Sequence, residues 1–152
     1  TLFRSSTLRV TYGNVTGRAH GNEDGNAWAA FTTLRGITAK ATGEGEFNAP
    51  QNQLEAIKAK NYGPYAVPAL NSVPVNYLAT LDITGGNSGS AILNSKGEFV
   101  GLAFDGTLDS IISDWDFNLT NTRSIQVDLR FMLWQMQQVD KADNLLQEMG
   151  VL

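Results

Sequence analysis

Up to Val127 the apolar runs of this chain are short and cut by Gly, Pro or Asn; from Leu129 onward apolar residues recur with helical spacing. This change of period restricts the architecture to short strands joined by turns, with a helical tail packed against them. Leu8–Tyr12 (LRVTY) alternates apolar and polar residues and reads as a half-buried strand, followed by a Gly13-Asn14 turn. Arg18–Asn26 (RAHGNEDGN) reads as an exposed loop and Trp28–Leu34 (WAAFTTL) as a further strand. Asn48 and Pro50 signal a helix start. That helix runs to Lys60 with a narrow stripe of Leu54 and Ile57, so it lies on the surface, and Lys58 and Lys60 in its last turn suit the helix dipole. Tyr62–Pro74, with Gly63 and three prolines, is expected to be irregular, and Val75–Leu81 resumes strand character.

Ala91–Leu93 and Phe99–Phe104, joined by Asn94-Ser95-Lys96-Gly97-Glu98, predict a β-hairpin with Gly97 in a left-handed turn position. Ser124–Val127 is one more short strand. Leu129, Met132, Leu133 and Met136 then mark an amphipathic helix, and Ala142, Leu145, Leu146 and Met149 a second one ended by Gly150. The expected class is all-β with C-terminal helices, built on an antiparallel β-barrel over residues 1–152, with an irregular loop at 61–74 and terminal helices at 128–150.

Composition narrows the chemistry. Lys and Arg number 11 against 15 Asp and Glu, and only 17% of residues are charged, which argues against a nucleic-acid surface or a polybasic membrane anchor. No run reaches the roughly 18–20 apolar residues of a helical membrane span. With no Cys and a single His, His20, the chain has little material for a zinc or haem site, so no metal or cofactor is expected. The chain opens on Thr1 without a signal-peptide pattern, so a preceding segment is expected.

One segment stands apart: Asp82-Ile83-Thr84-Gly85-Gly86-Asn87-Ser88-Gly89-Ser90. Gly85, Gly86 and Gly89 remove Cβ atoms on both sides of Ser88, leaving room for a substrate backbone to approach a nucleophilic Oγ. Gly86 also frees its N–H to point where the Ser88 N–H points, and two such donors make an oxyanion hole. The pattern G-[DN]-S-G-[GS] between a strand and a hairpin, with a terminal helix beyond, is that of the second half of a chymotrypsin-like double barrel. It is not the α/β-hydrolase elbow, whose second Gly stands one place later. The plainer reading is a Gly/Ser-rich turn that caps a hairpin. Phe104-Asp105-Gly106 ends the hairpin's second strand, which in chymotrypsin-like enzymes walls the pocket for the residue before the scissile bond. There Gly106 leaves the pocket open; equally, it can simply end a strand.

The stretches TLDITGGNSGSAILNSKGEFVGLAFDG, SDW, RSIQVDLRFMLW and NLLQEM, with the earlier YGNVTG, AAFTTLRG and VPVNYLATLD, resemble the C-terminal end of the bacterial serine dipeptidyl-peptidases, the family of dipeptidyl-peptidases 7 and 11. The resemblance spans essentially the whole chain. It implies a peptidase releasing dipeptides from free peptide N-termini, periplasmic or at the cell surface, usually homodimeric, with a double barrel carrying a His/Asp/Ser triad and a helical domain capping the cleft. Residue by residue, Ser88 matches the nucleophile, the Gly86 and Ser88 N–H groups the oxyanion hole, and Phe104 and Asp105 the substrate-flanking strand. Gly106 matches the position where Arg accompanies Asp/Glu before the cut and Gly accompanies hydrophobic residues. Ala91 departs from the usual Pro.

Several residues invite other readings. Asp82 stands six residues before Ser88, where trypsin-like enzymes bind Lys or Arg; it reads instead as a carboxylate capping local N–H groups. Asn87, a neutral amide, cannot pair with a freshly cut N-terminal ammonium, so Thr1 is no activation terminus. His20, in a polar Gly-rich loop, reads as solvated rather than as the triad base, and Asp24, Asp109, Asp114 and Asp116 have no His in sequence context to orient. The leading reading is the Ser-bearing barrel of a larger dipeptidyl-peptidase, inactive by itself because base and acid lie elsewhere. Its alternatives are a self-contained glutamyl-endopeptidase-like or HtrA-like protease using His20, and a non-catalytic barrel for dimerisation or binding.

Overall fold

A computed structural model describes residues 10–18 and 28–152. Five strands, Phe31–Thr33 (β1), Pro74–Ala79 (β2), Ala91–Leu93 (β3), Phe99–Gly106 (β4) and Ser124–Asp128 (β5), form one sheet in the order β1-β2-β5-β4-β3. The sheet is mostly antiparallel and open, with β1 and β3 at its edges. Four helices accompany it: Leu34–Lys40 (α1), Gln51–Lys58 (α2), Leu129–Trp134 (α3) and Asp143–Glu148 (α4). The chain divides into two compact units, Thr1–Phe31 with Tyr77–Val127, and Thr32–Asn76 with Asp128–Leu152.

The first unit holds the hairpin where the turn chemistry placed it. Ala91 pairs with Leu102, Ile92 with Gly101 and Leu93 with Phe99, with a register shift between Ile92 and Leu93. Gly97 sits at φ +80°, and its N–H donates to Asn94 O at 2.9 Å, so the left-handed position requires glycine as expected. The interior of this unit is unusually polar. Ser124 Oγ donates to Ala79 O (3.1 Å) and Gln126 Nε2 to Ser124 Oγ (2.7 Å), both residues being buried.

The apolar core lies in the second unit. Leu34, Ile57, Tyr65, Val73, Trp134 and Val139 form one buried cluster contributed largely by helices. Asp128 connects strand to helix: its buried carboxylate accepts the Arg130 backbone N–H (2.9 Å), which caps α3, and takes the Arg130 guanidinium in a two-point fork. The chain ends in a Schellman pattern, with Gly150 N–H donating to Gln147 O and Val151 N–H to Leu146 O.

Four expectations need correction. The class is not all-β with helices only at the C-terminus, because α1 and α2 lie ahead of most strands. Leu34–Lys40 carries Gly36, Ile37 and Thr38, poor helix formers, and folds as a helix with Leu34 wholly buried, so packing overrides propensity there. Residues 10–14 form no strand, and Val10 and Tyr12 are exposed; Leu8 and Arg9 lie outside the described residues. Gly13 makes no turn. It lies where a Cβ would come within 2.6–2.8 Å of Thr80, so it permits close backbone passage. Finally, the expected stripe Leu129, Met132, Leu133, Met136 is only half-buried. The helix passes into one π turn over Gln135–Val139, and the buried residues are Trp134 and Val139, five apart, as that wider turn aligns them.

Candidate active site

Ser88 lies on the loop between β2 and β3, and that loop closes on itself. The Asn87 N–H donates to Thr84 O (3.1 Å), Asn87 Oδ1 accepts the Thr84 N–H (2.8 Å), and the Ser90 N–H donates to Asn87 O (2.9 Å). Two further bonds tie it to β4: Gly89 N–H to Ala103 O (2.7 Å) and Ala103 N–H to Ser90 O (2.9 Å). Gly86 and Gly89 have φ of +96° and +84°, a region that costs other residues roughly 1–2 kcal/mol. Among the described residues, chain neighbours aside, a Cβ at Gly85, Gly86 or Gly89 would meet no atom within 4 Å, which leaves space beside Ser88.

Ser88 is exposed, and its Oγ donates to Phe104 O at 3.0 Å. Among the described residues neither the Gly86 nor the Ser88 N–H donates to a protein acceptor. The loop therefore presents a hydroxyl and two unengaged N–H groups on one short stretch, the components an acyl-transfer site needs apart from its base.

Ser88 shares a pocket with Phe104, Asp105 and Gly106, the three residues singled out on the sequence. Phe104 and Asp105 are exposed, and Asp105 Oδ1 accepts the Gly106 N–H at 2.7 Å. The opposite wall is the 3-10 turn Leu108–Asp114, which contributes Ser110, Ile111 and Asp114. Sequence reasoning missed this wall, because the turn's apolar residues Leu108, Ile111 and Ile112 are exposed and mark no buried face; Thr107 and Ser110, three apart just beyond Gly106, were the available signal. Among the described residues no Lys, Arg or His lines the pocket, whereas Asp105 and Asp114 do.

His20 and Asp24 lie outside the described residues. The carboxylate of Asp82 neither lines the pocket nor accepts a hydrogen bond among the described residues. The capping expected of Asp82 is done by Asn87. Asp116 lines a neighbouring depression with Trp115 and Leu108. Ala91 opens β3.

A charged cluster braces the 3-10 turn. Arg18, read from sequence as part of an exposed loop, is buried; the rest of that loop lies outside the described residues. Its guanidinium is ion-paired with Asp109 and stands 4.7 Å over the Trp28 ring. The equally buried Arg123 donates through Nε to Gly17 O (3.0 Å) and through NH1 to Leu119 O and Thr122 O. Burial, and then repulsion from Arg18, hold the Arg123 pKa below the ordinary arginine value. Of these two buried guanidiniums, Arg18 has the Asp109 carboxylate, whereas Arg123 is held by backbone carbonyls. Asp109→Asn is expected to cost about 1–3 kcal/mol in urea unfolding, because it leaves the Arg18 charge unmatched. The exposed Asp116→Asn should stay within about 0.5 kcal/mol.

The Peptidase S46 family matches residues 5–151. The Asp/Glu-specific dipeptidyl-peptidase of Shewanella putrefaciens is 43% identical over 97% of this chain and 23% of its own length. Dipeptidyl-peptidase 7 of Phocaeicola vulgatus is 38% identical over 96% of this chain and 20% of its own. Among solved structures, Porphyromonas endodontalis DPP11 in complex with the dipeptide Arg-Glu superposes with a TM-score of 0.88 at 34% identity, covering 95% of this chain and 20% of that one. The chain thus spans about a fifth of the length of the relatives it matches.

Proposed function

The chain belongs to the Peptidase S46 family of serine peptidases, and from that membership we propose that it is the nucleophile-bearing part of a larger dipeptidyl-peptidase, with Ser88 as the attacking group. The observation that carries this reading is a pocket lined by both Ser88 and the Phe104–Gly106 strand end, with the unengaged Gly86 and Ser88 N–H groups on the same short loop as the Ser88 hydroxyl. A base supplied by the rest of the polypeptide takes the Ser88 proton as Oγ attacks the peptide carbonyl. The carbonyl electrons move onto oxygen, which the Gly86 and Ser88 N–H groups hold. Collapse breaks the C–N bond as the base gives the Ser88 proton to the departing amine of the shortened peptide. Water, losing a proton to the same base, then attacks the dipeptidyl ester, and the proton returns to Ser88 Oγ as the acyl group leaves. Phe104 and Asp105 flank the dipeptide, whose free N-terminus distinguishes the substrate class. On the same resemblance, the open sheet belongs to the second barrel of a chymotrypsin-like double barrel, and the full-length enzyme is a homodimer of the periplasm or cell surface.

The relatives' names include both Asp/Glu-specific dipeptidyl-peptidases and dipeptidyl-peptidase 7, so preference must be argued from the pocket. Among the described residues two carboxylates and no cation line it. A second negative charge at about 4 Å meets roughly 1 kcal/mol of repulsion in water and about 4 kcal/mol in a partly screened cleft. This disfavours Asp or Glu before the cut, and the hydrophobic preference itself rests on the resemblance, in which Gly at position 106 accompanies hydrophobic residues. In the full-length protein, Gly106→Arg is expected to shift the ratio of kcat/KM from Leu-type toward Asp/Glu-type peptides by at least about tenfold, roughly one close charge pair. An unchanged preference profile would remove Gly106 from the pocket's specificity.

A further inference from the structure

Resting on that reading of the pocket, we propose that Ser110 is a second specificity-determining residue, because it decides whether position 106 can carry a side chain. The backbone at Gly106 lies outside the left-handed region, so conformation alone does not demand glycine there. What limits position 106 is space. A Cβ built on Gly106 stands 3.2 Å from Ser110 Cβ, inside the roughly 3.5–4.0 Å optimum for carbon pairs.

Ser110 has no freedom to retreat. Its Oγ donates to Arg123 O (2.9 Å) and accepts the Arg123 N–H (3.1 Å). The third neighbour, Thr107 Oγ1, is 2.8 Å away. A serine hydroxyl has one proton and two lone pairs, and the proton is committed to the Arg123 carbonyl, so Thr107 is the donor and Ser110 Oγ is fully satisfied. The Ser110 N–H also donates to Thr107 O (2.7 Å), and its carbonyl accepts the Ser113 hydroxyl. One side chain thereby pins the 3-10 turn to the end of β4 and to Arg123 beside β5, and holds its own Cβ against Gly106. Pocket width is consequently a property of the Gly106/Ser110 pair. A long side chain at 106 reaches the pocket well only when residue 110 yields.

The test is a double-mutant cycle in the full-length protein, measuring kcat/KM for free-N-terminus peptides with Leu or Glu before the cut, alongside melting temperatures. Gly106→Arg in the Ser110→Gly background is expected to recover about tenfold in kcat/KM on the Glu peptide over Gly106→Arg alone. Ser110→Ala keeps the Cβ but releases the pin, and should recover a smaller part; it carries the test if Ser110→Gly does not fold. Such recovery together with a larger Glu-to-Leu ratio supports the assignment, since a purely structural repair would raise both substrates equally. Additive effects, with the preference shift unchanged across the 110 backgrounds, overturn the role of Ser110 and leave the pocket reading intact. No preference shift in any background overturns both.

Discussion

Replacing Ser88 by Ala in the full-length protein is expected to lower kcat by about 10^5–10^6-fold, the loss seen when a triad nucleophile is removed, with KM little changed. The residual rate comes from the oxyanion donors and substrate binding. Stability should not follow activity. Ser88 is exposed and, among the described residues, its hydroxyl bonds only to Phe104 O, so the melting temperature should stay within about a degree or two of the parent. A loss of activity with an unchanged melt is the signature of a chemical role; an active Ser88→Ala enzyme removes Ser88 as nucleophile. The 152-residue chain by itself is expected to turn over no dipeptidyl substrate. Robust hydrolysis by it, abolished by Ser88→Ala, would show that the base lies within this chain.

The second large effect is structural. Trp134→Ala is expected to destabilise the helical unit by about 3–5 kcal/mol, read as a drop in the urea midpoint. Trp134 is wholly buried at the centre of the cluster with Leu34, Ile57 and Val139, and stacks on Phe131 with centroids 6.0 Å apart. Its indole N–H donates to Asn61 O at 2.8 Å, so truncation opens a cavity and also strands a carbonyl. Trp134→Phe keeps most of the ring and should cost clearly less. Equal losses for Phe and Ala would place the contribution in the hydrogen bond rather than in the packing.

Legibility divided along range. The Asn94–Glu98 turn, Gly97 included, is dictated by residues a few positions apart, and β3 and β4 follow from it. The glycines around Ser88 were legible for the same reason, since their positive φ is a local need, but the closure of that loop, expected of Asp82, is made by Asn87 with Thr84. Arg18 was misread because its neighbours are polar and Gly-rich, whereas its ion-pair partner Asp109 lies 91 residues on. The helix after β5 was expected, yet its buried face was misplaced, since a π turn shifts the alignment from four residues to five.

By itself the sequence determined the elements whose causes are local: the hairpin, the glycine-framed Ser88 loop, the cap at Pro50 and the terminal helices. It also carried the family, since these motifs need only be present in order. The tertiary structure decided what depends on distant partners. It put the apolar core among helices, buried Arg18 against Asp109 and Arg123 against backbone carbonyls, and set a pinned Ser110 across from Gly106. Local turn and strand preferences act over a few residues, whereas burial and pocket width are set by atoms that only folding brings within contact distance.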